Sequence, residues 1–314
     1  MKTPLFIRRL KRLAKTGTLK SRELFDYRCF INSHEADCNQ PLFNLAVDFE
    51  LAWSRARRQD GLISVRESVS RGRKAKDAIL IILDLAERYN IPITFAVVGH
   101  LALDNCREHR KPPAFRPYWL REDWFDIDLK EQLLDKELYF AANIIQNIIQ
   151  SHLKHEIASH SFSHVNLGDD ATTEEVARYE VGESARALKK FETNLETFIF
   201  PKNKPASFEY LMDSGFKIYR SDKNIKIQKD QFGLWQFPLG LWISPTAQSS
   251  REIISLLDLA VENKSLVNLW FHGYEFNNSK ETESFLKPIF KAVDQRRQVG
   301  LEIKTMRDII HNYV

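Results

Sequence analysis

Two histidines four residues apart follow a short segment that predicts a strand. The segment is Glu156–Ser159, and the histidines are His160 and His164. On one side of a helical turn, this spacing lets both imidazoles bind one cation, at about 2.0–2.1 Å if it is zinc. The same spacing also arises by chance. Its position after a strand favours a metal site, because the active sites of α/β folds collect at the carboxyl ends of strands.

Two acidic residues stand at the end of another predicted strand. Asp48 and Glu50 flank Phe49 and close the mostly apolar run of residues 43–49. Residues i and i+2 of a strand point to the same side, so the two carboxylates project together. They repel each other unless a cation lies beside them. A strand end that already reaches solvent is the alternative, but the apolar run before the pair favours a functional site.

A further histidine, His272, directly follows the predicted strand of residues 266–271. Alone, a histidine at a strand end is more often a capped or half-buried structural residue. Two histidines and one carboxylate hold a divalent metal and leave a position for water, whose pKa zinc lowers to about 7. A second carboxylate can then act as a general base, and a histidine across the site can protonate a leaving amine. Together these residues predict metal-assisted hydrolysis of an amide or ester.

Strands and helices alternate along the chain that carries these residues. Strands are predicted over 43–49, 93–98, 156–159, 197–200, 217–220, 235–238, 266–271 and 301–303. Helices are predicted over 77–89, 139–151, 172–192 with a capping box of Thr172 and Glu175, 207–214, 251–263, 280–299 and from 305. About seven strands interleaved with helices predict a parallel barrel or a doubly wound sheet. No repeat or linker divides the chain after residue 42, so one domain is expected.

The composition excludes several classes of protein. The chain has 314 residues, 43% of them hydrophobic, with 46 basic and 42 acidic side chains, which excludes a disordered, collagen-like or coiled-coil chain. No apolar stretch approaches the roughly 18 residues of a membrane span. The three cysteines suggest neither a disulfide framework nor a thiolate zinc site, and no secretory signal is apparent. A cytoplasmic location is therefore expected.

Positive charge is concentrated near the N-terminus. Residues 1–29 contain nine basic and two acidic side chains, and the remainder of the chain is slightly acidic. Thr3 and Pro4 predict a helix start, and apolar residues follow on one face. Such a helix either contacts anionic lipid, at about 1 kcal/mol per basic residue, or docks on the body of the protein. Nucleic-acid binding is not expected, because no recognition motif is present.

One long stretch, residues 104–128, predicts no regular structure. It contains several prolines and the aromatic residues Tyr118, Trp119 and Trp124. Loops of this length inside compact domains are uncommon and often line a binding site. An aromatic flap that only covers one end of a barrel is an equal alternative.

Three segments resemble the polysaccharide deacetylase family, the carbohydrate esterases with a nodulation-protein-B homology domain. Residues 156–164 are similar to its His-Ser/Thr-x-x-His metal motif and the preceding strand. Residues 93–99 resemble its second strand, and residues 267–272 resemble its late strand, which ends in the catalytic histidine. The resemblance covers residues 41–314 and leaves residues 1–40 as a basic, partly helical arm. It implies a distorted (β/α) barrel with about seven parallel strands.

The resemblance also implies a role for each site residue. Glu50, His160 and His164 would bind a divalent metal, zinc first, with cobalt or nickel as alternatives. Asp48 would be the general base and His272 the general acid. The family's first motif commonly has adjacent acids, whereas Phe49 separates them here, so the base and the ligand could be exchanged. The implied reaction removes an acetyl group from an N-acetylated saccharide, such as an envelope polysaccharide or a lipid-linked precursor.

The third motif departs from the family pattern. Its Arg-Pro-Pro-Tyr-like sequence is replaced by residues 200–203, Phe-Pro-Lys-Asn. Lys202 is expected to be the cation that orients the base, although a lysine cannot reproduce a bidentate guanidinium. Asn203 or a nearby backbone N–H would stabilise the oxyanion. Asp222 is expected to be the aspartate that tunes the catalytic histidine.

Two alternative functions remain open at this stage. The same metal site would serve an O-acetyl esterase or another hydrolase of non-peptide C–N bonds. The altered third motif is also typical of a carbohydrate-binding relative that has lost catalysis.

Overall fold

A curled, mostly parallel sheet forms the centre of the protein. The computed structural model describes residues 40–54, 57–58, 61–62, 64–125, 135–192, 194–223 and 226–314. The strands are β1 (Leu42–Phe49), β2 (Arg57–Arg58), β3 (Gly61–Leu62), β4 (Thr94–Val97), β5 (Glu156–Ser159), β6 (Thr197–Ile199), β7 (Ile218–Arg220), β8 (Gln228–Lys229), β9 (Trp235–Phe237), β10 (Leu241–Trp242), β11 (Leu266–His272) and β12 (Glu302–Ile303). The α-helices are α1 (Val65–Tyr89), α2 (Ala142–Gln150), α3 (Glu174–Leu188), α4 (Phe208–Ser214), α5 (Ser250–Asn263), α6 (Ser279–Arg296) and α7 (Met306–Tyr313).

The main sheet has ten strands in the order β10-β11-β1-β4-β5-β6-β7-β9-β8, and β12 pairs with β1. Neighbouring strands are parallel except for the β8–β9 pair, and β2 and β3 form a separate antiparallel pair. The half-barrel confirms the predicted distorted (β/α) barrel. It has more strands than the seven expected, because two-residue strands such as β8 and β10 are too short to show a periodic pattern.

Alternation along the strands sends every second side chain into the barrel. The interior holds small and apolar residues from seven strands, together with three residues of α7: Leu42, Ala46, Ala96, Ala158, Ile199, Ile218, Phe237, Leu266, Trp270, Met306, Ile309 and Ile310. Residues 48, 160, 220 and 272 each lie two positions after an interior residue. The same alternation therefore brings them together at the carboxyl edge of the sheet. A second and larger apolar cluster packs the helices against the outer face.

Helix α7 closes the opposite, amino end of the barrel. The amide of Met306 donates to Thr94 Oγ1 at 3.0 Å, and the amide of Arg307 donates to Glu156 Oε2 at 3.2 Å. Thr94 and Thr197 also donate their hydroxyls to Glu156. Burial raises the pKa of Glu156, and these donors partly offset that effect. Both carboxylate oxygens of Glu156 therefore have donors at this end, far from the carboxyl edge.

Helix α1 begins well before the predicted residue 77. Its cap is Ser64, whose side chain accepts from the amide of Glu67 at 3.2 Å. The first half of the helix is polar, so it shows no apolar periodicity. Gly72 in this half lies against the turn after β1, where a Cβ atom would come within 2.8 Å of the Ala52 nitrogen. Close contact with the helix thus fixes the turn that follows Glu50.

Other boundaries agree with the sequence to within a few residues. The cap of α3 is Thr173 rather than Thr172, because Thr173 accepts from the amide of Val176. The predicted helix near Thr3 lies outside the described residues, and the division at residue 40 stays a prediction. None of the described helices combines the length and the apolar character needed to cross a membrane.

Candidate active site

One oxygen of Glu50 lies at the centre of three histidines. Its Oε1 atom is 3.2 Å from Nε2 of His160, 3.0 Å from Nε2 of His164 and 3.4 Å from Nε2 of His272. Glu50 directly follows β1, and Leu51 turns the chain away with a φ of 47°. Burial raises the pKa of Glu50, but the adjacent histidines outweigh this and hold it well below its usual range.

The rings of His160 and His164 present nitrogen atoms to this centre. Nδ1 of His160 lies 2.6 Å from the carbonyl oxygen of Ile199 and donates to it, so Nε2 is the ring nitrogen that faces Glu50. The centroids of the two imidazole rings are 5.0 Å apart. Glu50, His160 and His164 are all buried, and their ligand atoms lie within 4.8 Å of one another. Two imidazoles and one carboxylate fit a divalent transition metal.

The segment between the histidines is not the helical turn that the spacing suggested. Ser161 and His164 both have left-handed backbones, with φ angles of 59° and 64°. Such angles are costly for residues with a Cβ atom and persist only where the surroundings enforce them. The two rings still converge, because the loop folds back around a buried glutamate.

That glutamate is Glu180 of α3. Its Oε2 accepts from the amides of Phe162 and Ser163 at 3.0 and 2.8 Å, and its Oε1 accepts from the Ser163 hydroxyl at 2.6 Å. Trp124 Nε1 donates to the same hydroxyl at 3.0 Å. Burial raises the pKa of Glu180, and the donors of Ser163 oppose this. The sequence carries a signal for Glu180, since it lies one turn after the apolar Val176 on the inner face of the helix.

Asp48 is paired with an arginine from across the barrel. Arg220 donates from Nη1 to Oδ1 at 3.0 Å and from Nη2 to Oδ2 at 2.7 Å, and both side chains are buried. The guanidinium carbon lies 4.5 Å from the ring centre of Trp270. Burial raises the pKa of Asp48, but the charge of Arg220 outweighs this effect and lowers it. The cation that orients Asp48 is therefore Arg220, at the end of β7. The sequence predicts Lys202 for this role.

The two polar residues of the altered third motif, Lys202 and Asn203, do not lie where the sequence predicts. Asn203 Oδ1 accepts from Nε and Nη2 of Arg220 at 3.0 and 2.8 Å. Its carbonyl group therefore orients the arginine, whereas the sequence predicts a donor to the oxyanion. Lys202 lines a cleft beside His164. Both residues have left-handed backbones, with φ angles of 62° at Lys202 and 49° at Asn203.

His272 lies directly beside Asp48 in the register of β1 and β11. Its Nε2 atom is 3.8 Å from Asp48 Oδ2, and its Nδ1 atom is 3.1 Å from Glu275 Oε1. Burial lowers the pKa of His272, but the charge of Glu50 and the hydrogen bond of Glu275 raise it to about 10. The carboxylate that contacts Nδ1 of the histidine is thus Glu275, not the predicted Asp222. Asp222 is exposed and lies beside the hydroxyl of Ser221.

The described part of the long loop, residues 104–125, forms one wall of a cleft next to the histidines. Phe115, Trp119 and Trp124 line this cleft together with His164 and Lys202. Trp119 Nε1 donates to Asp169 at 3.4 Å, which joins the loop to the opposite wall. Of the two alternatives for this loop, the structure favours the lining of a binding site, because the aromatic residues lie beside the candidate site.

The half-barrel with this edge of histidines and carboxylates has the fold of the polysaccharide deacetylases. No protein-family model matches the sequence, and no curated protein matches it. Among solved structures, a protein from Mycobacterium smegmatis assigned as a polysaccharide deacetylase has a TM-score of 0.56 at 12% identity, over 88% of this chain and 91% of that one. One from Pseudomonas aeruginosa PAO1 with the same assignment has a TM-score of 0.58 at 10% identity, over 86% and 89%.

An allantoinase is similar to the same extent. Its TM-score is 0.56 at 10% identity, over 86% of this chain and 89% of the allantoinase. The resemblance seen in the sequence is therefore confirmed at the level of the fold. At these identities the likeness does not distinguish between substrates.

Proposed function

We propose that the protein is a metal-dependent hydrolase that removes the acetyl group from an N-acetylated saccharide. The observation that carries this proposal is the convergence of three histidine Nε2 atoms on one oxygen of Glu50, at 3.0–3.4 Å. Glu50, His160 and His164 would hold the cation, for which zinc is the first choice and cobalt or nickel the alternatives. When bound, the cation supplies Lewis acidity toward the amide carbonyl and an acidified water.

Two other residues at the carboxyl edge of the sheet, Asp48 and His272, would carry out the two proton transfers of the reaction. Asp48 is held ionised by Arg220, so it takes the proton of the attacking water as general base. The hydrogen bond of Glu275 favours the protonated form of His272, so His272 donates a proton to the departing amine. The two groups are neighbours in the strand register. A base and an acid with pKa values moved apart by their surroundings are the arrangement that hydrolysis of an amide requires.

Arg220 weakens the case for an inactive, carbohydrate-binding relative. That alternative depends on the absence of an arginine from residues 200–203, and Arg220 supplies a bidentate guanidinium to Asp48 from β7. The allantoinase keeps a second candidate open, in which the same site cleaves a C–N bond outside a sugar. The saccharide is favoured because aromatic side chains line the adjacent cleft.

The first experiment measures metal content and acetate release on the same preparations. Wild type is expected to bind metal through these ligands and to release acetate from N-acetylated oligosaccharides. His160→Ala with His164→Ala should lose this metal and all activity. Asp48→Asn, the matched control, should keep the metal and lose about 10²–10⁴ in kcat. Hydrolysis of allantoin without acetate release would select the second candidate, and activity retained without metal would contradict both.

Replacing Glu275 by glutamine should shift the alkaline limb of the pH–rate profile. The general acid works only when protonated, and Glu275 helps to raise the pKa of His272. Its removal lowers that pKa, so activity is lost at lower pH, by about 1–2 units for a charged hydrogen bond. Glu283→Gln, at a partly exposed position of α6, should leave the profile unchanged. An unmoved limb in Glu275→Gln would contradict the assigned role of this carboxylate.

We also propose a cytoplasmic location with peripheral contact at the inner face of the membrane. The support is the basic sequence of residues 1–29, which suits anionic lipid. A lipid-linked sugar or an envelope polysaccharide precursor would then be within reach of the site.

A further inference from the structure

A second group of side chains that could hold a metal ion lies beside Phe162 of the loop between His160 and His164. It consists of His100, Cys106 and His109, whose ligand atoms all lie within 4.8 Å of one another. None of these residues belongs to the proposed catalytic machinery. His100 belongs to the short helix after β4, and the other two residues belong to the start of the long loop.

Both imidazoles are oriented by backbone carbonyl groups. Nδ1 of His100 lies 3.1 Å from the carbonyl oxygen of Tyr139, and Nδ1 of His109 lies 2.8 Å from that of Arg110. A nitrogen that faces a carbonyl carries the proton and donates it, which leaves the lone pair on Nε2. This arrangement is typical of metal-bound histidines, whose second nitrogen is anchored by a carbonyl or carboxylate.

The thiol stands at the distance that a shared metal requires. Sγ of Cys106 is 3.6 Å from Nε2 of His100. Tetrahedral zinc, with its usual bonds to sulfur and nitrogen, separates two such ligand atoms by about 3.5 Å. His100 is buried, while Cys106 and His109 are partly exposed, so a cation has a path from solvent.

We propose that His100, Cys106 and His109 form a second metal site, for a thiophilic divalent cation of the zinc class. Two neutral nitrogens and one thiolate are the ligands that such a cation prefers over magnesium or calcium. The spacing of the cysteines does not predict this site, because they form no close pair. The histidines instead come from both ends of the segment 100–109.

The site connects to the active site through Phe162. The ring of Phe162 lies 5.4 Å from that of His100 and 5.5 Å from that of His109, measured between centroids. Phe162 belongs to the loop between His160 and His164, and its amide is held by Glu180. A cation at the second site would therefore stiffen the start of the long loop and the loop that carries His160 and His164.

Cobalt distinguishes the two sites, because the second site contains a thiolate and the Glu50 site does not. The full-length chain is stripped with a chelator and titrated with Co²⁺. The expected result is two cobalt ions per chain and a thiolate-to-cobalt charge-transfer band. His160→Ala with His164→Ala should keep the band and bind one cobalt ion fewer, so this test does not depend on the proposed function.

Cys106→Ser should abolish the band, while Cys29→Ser with Cys38→Ser, the matched control, should retain it. In the His160→Ala and His164→Ala background, zinc at a hundredfold excess over its Kd should raise the unfolding temperature by about 5 °C. Adding Cys106→Ser should remove that rise. Absence of the band in wild type, or its persistence in Cys106→Ser, would overturn the proposal.

Discussion

Arg220→Met should lower the free energy of unfolding by about 3–5 kcal/mol, because it leaves the buried carboxylate of Asp48 without its partner. The same change should raise the pKa of Asp48, which Arg220 now lowers. A general base works only when ionised, so the acid limb of the pH–rate profile should move to higher pH. At neutral pH the expected loss in kcat is about 10²–10⁴. Denaturant titration and a pH series of initial rates measure both effects.

Two further variants separate the charge of Arg220 from its geometry. Arg220→Lys keeps the charge but offers a single ammonium to two oxygens, so an intermediate loss is expected. Asp48→Asn combined with Arg220→Met removes both charges and should recover much of the stability. In wild type, the contribution of the pair is complete above the ordinary pKa of aspartate and is lost as the pH falls below it. An unmoved acid limb in Arg220→Met would show that Arg220 does not set the ionisation of Asp48.

Glu180→Ala should weaken metal binding at the Glu50 site by about 10–100-fold, although Glu180 is not a ligand. The substitution removes the acceptor of two buried amides and one hydroxyl in the loop of His160 and His164. Each donor left unsatisfied costs about 1–3 kcal/mol. The left-handed angles at Ser161 and His164 then lack the contact that enforces them. Competition with a chelator measures the affinity, and denaturant titration measures the stability.

Glu183 provides the matched control for this prediction. It is also a buried glutamate of α3, but its carboxylate accepts from Arg110 and Arg186 instead of from the histidine loop. Glu183→Ala should reduce stability and leave the affinity of the Glu50 site unchanged. Glu180→Gln keeps one acceptor oxygen and should lose less affinity than Glu180→Ala. Equal affinities in Glu180→Ala and Glu183→Ala would show that the loop does not depend on Glu180.

The residues at the strand ends could be predicted because two simple periodicities locate them. Alternation within a strand and the shared carboxyl edge of a parallel sheet suffice to bring Asp48, His160 and His272 together. The partners of these residues could not be predicted in the same way. Arg220 contacts Asp48 from β7, four strands away from β1 in the sheet, and the distance between the two side chains depends on the curvature of the whole sheet. This curvature cannot be deduced from the order of the strands along the chain.

Local spacing also misled where tertiary contacts override it. The four-residue separation of His160 and His164 suggested a helical turn, but Glu180 takes the amides that a helix would pair with carbonyl groups. Glu275 lies three residues after His272, so its contact is local and could have been found from spacing. The motif order of the family predicts the cation within residues 200–203, at Lys202, but here β7 supplies it as Arg220.

The position of β1 has a consequence for the synthesis of the protein. Leu42, at its start, pairs with Leu266 of β11 and with Glu302 of β12. When the ribosome has completed His164, the strand that carries Asp48 has only β4 as a partner, and its other edge is unprotected. Contacts this distant in sequence form slowly and late. We therefore expect the nascent chain to need protection from aggregation until residue 303 has left the ribosome.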